Sequence, residues 1–132
     1  MNNYRVNKLT EKLIELTEDN ILIWERITHD ILHENKYRVT FFRELYEGYA
    51  MDFKMSYYAN FENGFLYIFL ITNKLSEDFF TLAIQSNSKA LLTPLNKESD
   101  FQTNLIMLHE TIVKKSENVE SFLTSILNYQ RR

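Results

Sequence analysis

The amino-acid sequence predicts an α+β fold: N-terminal helices, a three- to four-stranded antiparallel meander with an Asn63-Gly64 hairpin, and two C-terminal helices. Three observations lead there. Apolar residues recur at spacings of three and four at both ends of the chain. They alternate in the middle, and Asn63-Gly64 stands between two alternating runs, the strongest short hairpin signal. Without a Gly/Ser/Pro-rich linker or a repeat, the 132 residues read as one domain, 1–132.

Val6, Leu9, Leu13 and Leu16 place a helix over about Arg5 to Thr17, which Glu18, Asp19 and Asn20 interrupt. The stretch from Ile21 to Leu32 suits a second helix, with Trp24, Ile27 and Ile31 on one face. Residues 34–54 read two ways. Val39, Phe42, Tyr46 and Tyr49 fit a helix stopping near Gly48, and Tyr37, Val39 and Phe41 fit a short strand.

A two-residue turn at Asn63-Gly64 sets Tyr58 opposite Phe69 and Asn60 opposite Tyr67. One face of the hairpin then carries Met55, Tyr57, Ala59, Phe61, Leu66, Ile68 and Leu70, a core face. The other carries Ser56, Tyr58, Asn60, Glu62, Phe65, Tyr67, Phe69 and Ile71. After a loop at Asn73 to Asp78, the alternation of Phe79 to Gln85 reads as a third strand, against a competing helix from Ser76. Ala90 to Leu95 is a short fourth strand, and Pro94, which cannot donate a ladder hydrogen bond, makes it an edge or ends it.

Ser99 and Gln102 have the spacing of a capping box. Behind them Phe101, Leu105, Leu108 and Ile112 form one stripe, and Ile106 and Val113 a second. Lys114-Lys115-Ser116 closes this helix. Val119, Phe122, Leu123, Ile126 and Tyr129 give the last helix its apolar face.

Composition narrows the function. With no cysteine, disulfides, thiolate metal sites and cysteine nucleophiles are excluded. Two glycines cannot build a phosphate cradle, and no G-x-S-x-G is present. A net charge of −3 supplies no basic field for nucleic acid. The N-terminus lacks a signal-peptide run, and the longest apolar stretch, Phe65 to Ile71, is far short of the roughly 20 residues that cross a bilayer. A cytoplasmic protein without membrane association is expected.

Two constellations remain. As a helix, residues 24–34 would align Glu25, His29 and His33 at i, i+4 and i+8, the donors of a metal site or an exposed polar stripe. No metal site and no cofactor are assigned, and the pattern is not H-E-x-x-H. His109 reads as a partly buried histidine with one hydrogen-bond partner, or as a base. The other constellation follows from the aromatic content, 14%. On the second sheet face Tyr58, Phe65, Tyr67 and Phe69 surround Asn60. A covering helix, a protein partner and stacked bases compete for that face.

The segments Leu13-Ile14-Glu15-Leu16-Thr17, Ile23-Trp24-Glu25, Tyr58-Ala59-Asn60-Phe61-Glu62-Asn63-Gly64 and Leu82-Ala83-Ile84-Gln85 resemble small uncharacterised α+β proteins of low-GC Gram-positive bacteria and their mobile elements. The resemblance covers about half the chain and departs from it over Asp30 to Lys54. It implies an α+β fold in a bacterial or phage setting, with no activity attached.

The expectation is a non-enzymatic protein-interaction module: a regulator, inhibitor or immunity-type factor, with Tyr58, Asn60, Phe65, Tyr67 and Phe69 touching an unidentified protein partner. Self-association is left open. A metal-dependent enzyme built on Glu25, His29 and His33 is the alternative from another class, and a single-stranded nucleic-acid binder using the aromatic face is a third.

Overall fold

A computed structural model describes residues 3–130. Helix α1 (Asn3–Glu18) buries Val6, Thr10, Leu13 and Thr17, one face of a 3.6-residue period. Asn20 ends it in the left-handed conformation (φ +61°), and Ile21 and Leu22 return their amides to the carbonyl of Leu16.

That reversal makes the next segment a strand, correcting the helix expected over Ile21 to Leu32. Strand β1 (Trp24–Arg26) pairs with β3 (Tyr57–Phe61), Trp24 opposite Ala59 and Glu25 opposite Tyr58. Leu22 and Trp24 turn inward while Ile21, Ile23 and Glu25 face out, a period of two in place of 3.6. The Trp24 indole donates to Thr17 Oγ1 at 2.9 Å, tying strand to helix.

Only His29–His33 is helical, as α2, with Thr28 Oγ1 accepting from the amide of Ile31. Asn35 caps α3 (Lys36–Leu45) by accepting from the amide of Tyr37, and it donates to the carbonyl of Ser88. Of the two readings of residues 34–54 the helix is therefore the one formed, followed by β2 (Ala50–Met51) and a single 3₁₀ turn at Phe53–Met55.

Strand β3 turns through Glu62 and Asn63 into β4 (Gly64–Thr72), which pairs along its far side with β5 (Asp78–Gln85). The sheet has six strands in the order β1-β3-β4-β5-β6, all antiparallel, with β2 alongside the end of β4.

The hairpin turn lies one residue earlier than expected. Phe61 pairs with Gly64, so Tyr58 stands opposite Tyr67 and Asn60 opposite Phe65. Glu62 supplies the left-handed turn residue (φ +55°). Gly64 serves close approach instead, because a Cβ there would lie 2.8 Å from the carbonyl oxygen of Gln85. The shift moves each cross-strand partner by two residues, so every side chain keeps its expected face.

The fourth strand is shorter than Ala90 to Leu95: β6 is Thr93–Pro94, with Pro94 on the outer margin. Beyond it, side-chain amides continue the ladder. Asn96 accepts from the amide of Leu82 and donates to the carbonyl of Phe80. Gln102 bonds both the amide and the carbonyl of Phe80 at 2.8 Å. The expected capping box is therefore absent. Phe101 opens α4 (Gln102–Leu127) in the left-handed conformation without a side-chain cap, and Gln102 is spent on β5.

The two C-terminal helices form one continuous element of 26 residues. Lys114-Lys115-Ser116 contains neither glycine nor proline, and nothing there interrupts the helical hydrogen bonds. Helices α1 and α4 lie side by side on one sheet face, with Asn104 bonded to Asn7. Leu13, Leu22, Trp24, Tyr57, Ile68, Leu82, Leu105, Leu108 and Ile112 fill the space between. Helix α3 covers the opposite face, where Ile27, Phe41, Tyr67, Phe69, Ile71 and Phe79 are buried.

Candidate protein-interaction surface

The aromatic face divides into a covered and an open part. Phe41 and Phe42 of α3 meet Phe69 with ring centroids 5.7 and 4.8 Å apart, the second pair edge to face. Tyr67 stacks on Phe69 at 5.4 Å, and both are buried. Tyr67 and Phe69, expected to touch a partner, are thus core residues that α3 takes from solvent. Two of the four rings that base stacking would need are covered with them.

Arg38 centres this covered part. It is 3% exposed, and its carbon Cζ lies 5.0 Å from the Phe65 ring centroid and 5.6 Å from those of Tyr58 and Tyr67. Its Nε donates to the Tyr67 hydroxyl at 2.9 Å, and Nη1 donates to the carbonyl of Ile31 at 2.7 Å and to Glu34 at 3.3 Å. The Tyr67 hydroxyl donates in turn to Gln85 Oε1 at 2.6 Å, and Gln85 Nε2 donates to the carbonyl of Ala90. Desolvation pushes the Tyr67 phenol above its ordinary value, so it remains a neutral donor, while Arg38 opposes the rise. This chain ties α2, α3, β4 and β5 together.

The open part is the margin formed by β1 and β3. Tyr58 and Phe65 are half-buried, and Asn60 is exposed. Tyr58 donates to Glu25 Oε2 at 2.8 Å, fixing both side chains. Desolvation, followed by the hydrogen bond to Glu25 and its charge, pushes the phenol up to about 12. Beside this pair is a hollow of about 240 Å³ lined by Ile21, Ile23, Glu25, Tyr58, Ala59 and Asn60. Ile21 and Ile23 stand 61% and 62% exposed at its rim. Sequence reasoning assigned both to a helix and missed them. The alternation of Leu22 and Trp24 with Ile21, Ile23 and Glu25 was the available signal.

The stripe of Glu25, His29 and His33 does not form, because Glu25 belongs to a strand and the histidines to α2. His33 Nδ1 lies 2.8 Å from the carbonyl oxygen of His29, and the His29 ring stacks on Phe53 at 4.5 Å. Among the described residues, no group of three or more His, Cys, Asp or Glu could hold a metal ion. His109 is buried against Phe80 and Tyr57, with Nε2 2.9 Å from the carbonyl oxygen of Met55. Desolvation lowers its pKa, partly opposed by that hydrogen bond. None of the described helices is long and apolar enough to cross a membrane. In comparisons with known proteins, no family model, no curated protein and no solved structure matches this chain.

Proposed function

We propose that the chain is a non-enzymatic protein-interaction module, a regulator, inhibitor or immunity-type factor of the bacterial cytoplasm or a mobile element. Its partner docks on the margin of β1 and β3. The observation that carries this reading is the pair Ile21 and Ile23, exposed beside a hollow whose wall is stiffened by the Tyr58–Glu25 hydrogen bond. Apolar residues around a fixed tyrosine are the composition of an interface centre. Asn60 adds a hydrogen-bonding rim, and buried Tyr67 stands opposite Tyr58 in the ladder.

Ile21→Asp combined with Ile23→Asp tests it, because both side chains are solvent-exposed and the fold does not depend on them. Affinity capture from the native cell, read by mass spectrometry, is expected to yield a partner with the original chain and roughly tenfold less with the double variant. Undiminished capture by a double variant with an unchanged circular dichroism spectrum overturns the assignment.

A further inference from the structure

The side-chain oxygens around the hollow at β1 outnumber its donors. Glu25 accepts from the Tyr58 hydroxyl at Oε2, and among the described residues its Oε1 has no partner. The Tyr58 oxygen keeps a lone pair after donating. Asn60, two residues along β3 and on the same face, adds an amide oxygen. The local charge is negative. Among the described residues the ion pairs are Lys8–Glu11, Lys12–Glu15 and Arg38–Glu34, none of which involves Glu25. Lys115 borders the neighbouring hollow together with Glu25, without an ion pair to it. Arg38 is already bonded to Tyr67, Ile31 and Glu34. Around the Tyr58 phenol, two carboxylates, Glu25 and Glu34, therefore act against one guanidinium.

Shape adds a second constraint. The hollow, about 240 Å³, falls below the roughly 300–1,000 Å³ of sites that enclose a small molecule. It suits one long side chain entering from solvent. Ile21 and Ile23, exposed at the rim, offer an apolar track for a methylene stem that ends in a charge. We propose that this hollow receives an arginine side chain of the partner, its stem along Ile21 and Ile23 and its guanidinium on Glu25. The proposal rests on docking at the margin of β1 and β3, and it names the anchor of that docking.

Arginine fits this site better than lysine. The planar fork of N–H donors serves Glu25 Oε1, the Tyr58 oxygen and the Asn60 oxygen together, whereas an ammonium donates from one point. A guanidinium also lies favourably over an aromatic ring, as Arg38 does over Tyr58 and Phe65 in this molecule. An acidic side chain would meet Glu25 as a like charge. An exposed ion pair contributes little, but the apolar rim of a docked surface excludes water from around it. The pair is then worth more than it would be in open solvent.

The probe is Nα-acetylarginine methylamide, with the citrulline compound as its uncharged isostere and the lysine compound as the other cation. Titration followed by amide NMR shifts is expected to move Ile21, Ile23, Glu25 and Tyr58, with a dissociation constant on the order of 1–10 mM. The citrulline compound should bind roughly tenfold more weakly, and so should the arginine compound to Glu25→Gln. In Glu25→Gln the amide oxygen still accepts from Tyr58, so the wall stays and only the charge goes. An absence of shifts at these residues, equal binding of the citrulline compound, or tighter binding of the lysine compound overturns the proposal. Capture of the cellular partner separates the anchor from the docking. If Glu25→Gln captures it in full while Ile21→Asp with Ile23→Asp does not, docking stands and the arginine anchor falls. Loss of capture in both variants, with the arginine shifts present, supports both.

Discussion

The two faces of the sheet are packed by different chemistry. Between the sheet and helices α1 and α4 the buried side chains are mostly aliphatic: Leu13, Leu22, Ile68, Leu82, Leu105, Leu108 and Ile112. Between the sheet and α3 they are mostly rings, Phe41, Tyr67, Phe69 and Phe79, around a buried guanidinium. Aliphatic burial has no preferred direction, and on this side the few directional bonds, such as Trp24 to Thr17 and Gln102 to Phe80, lie around the packed volume. Rings that meet edge to face, and an arginine bonded to Tyr67 and Ile31, accept one placement only. The difference teaches where each face is vulnerable: one to lost volume, the other to a lost partner.

The largest effect is expected on the aliphatic side. Leu108 is wholly buried, and Leu108→Ala should destabilise the chain by about 2–5 kcal/mol in urea unfolding, through lost transfer energy and the cavity left behind. A loss below about 1 kcal/mol would mean that this face collapses around the gap, as loosely packed cores can. On the ring side, Tyr67→Phe keeps almost all the volume. It should still cost about 1–3 kcal/mol, because Arg38 Nε and Gln85 Oε1 lose their shared partner in a buried site. A neutral result would erase the distinction between the faces.

Acid should separate the faces more gently. Burial keeps His109, on the α4 side, below the ordinary histidine value, so the unfolded chain takes up a proton first. The stability this residue preserves is present above about pH 6.5 and is lost as pH falls from there through the folded value. The melting temperature should therefore fall on acidification, less so in His109→Gln. Equal slopes in the two proteins would dismiss His109 as the cause. The smallest effect is spectroscopic. Absorbance at alkaline pH should show Tyr58 ionising near 12, and Glu25→Gln should bring that transition down by removing the charge beside the phenol. An unmoved transition would mean that burial alone holds the proton.

Periodicity made much of this architecture legible. The helix through Val6 and Leu13, the strand from Phe79 to Gln85 and the marginal position of Pro94 all followed from spacing or from proline's missing donor. The sidedness of the hairpin emerged intact although its turn was misplaced, because a two-residue shift preserves the alternation. Other features depend on contacts made from outside the segment. Gly64 looks like a turn residue until Gln85 comes near. Ile21 to Ile27 is too short to choose between two periods, and the left-handed cap at Asn20 decides it. The site was half legible for the same reason. Tyr58, half-buried, and Asn60, exposed, lie at the open margin, while burial of Tyr67 and Phe69 depends on α3, which forms within the stretch whose pattern fitted two structures.

The side-chain amides of Asn96 and Gln102 have a consequence for assembly. They occupy the backbone groups of β5 that a neighbouring strand would need, and Pro94 has no amide to offer. One margin of the sheet is thereby shut, leaving β1, and β2 beside the end of β4, on the other side. A sheet with a single usable margin can accept one added strand but cannot pass the addition on. Growth into a fibre requires two, so joining at β1 yields a complex of fixed size.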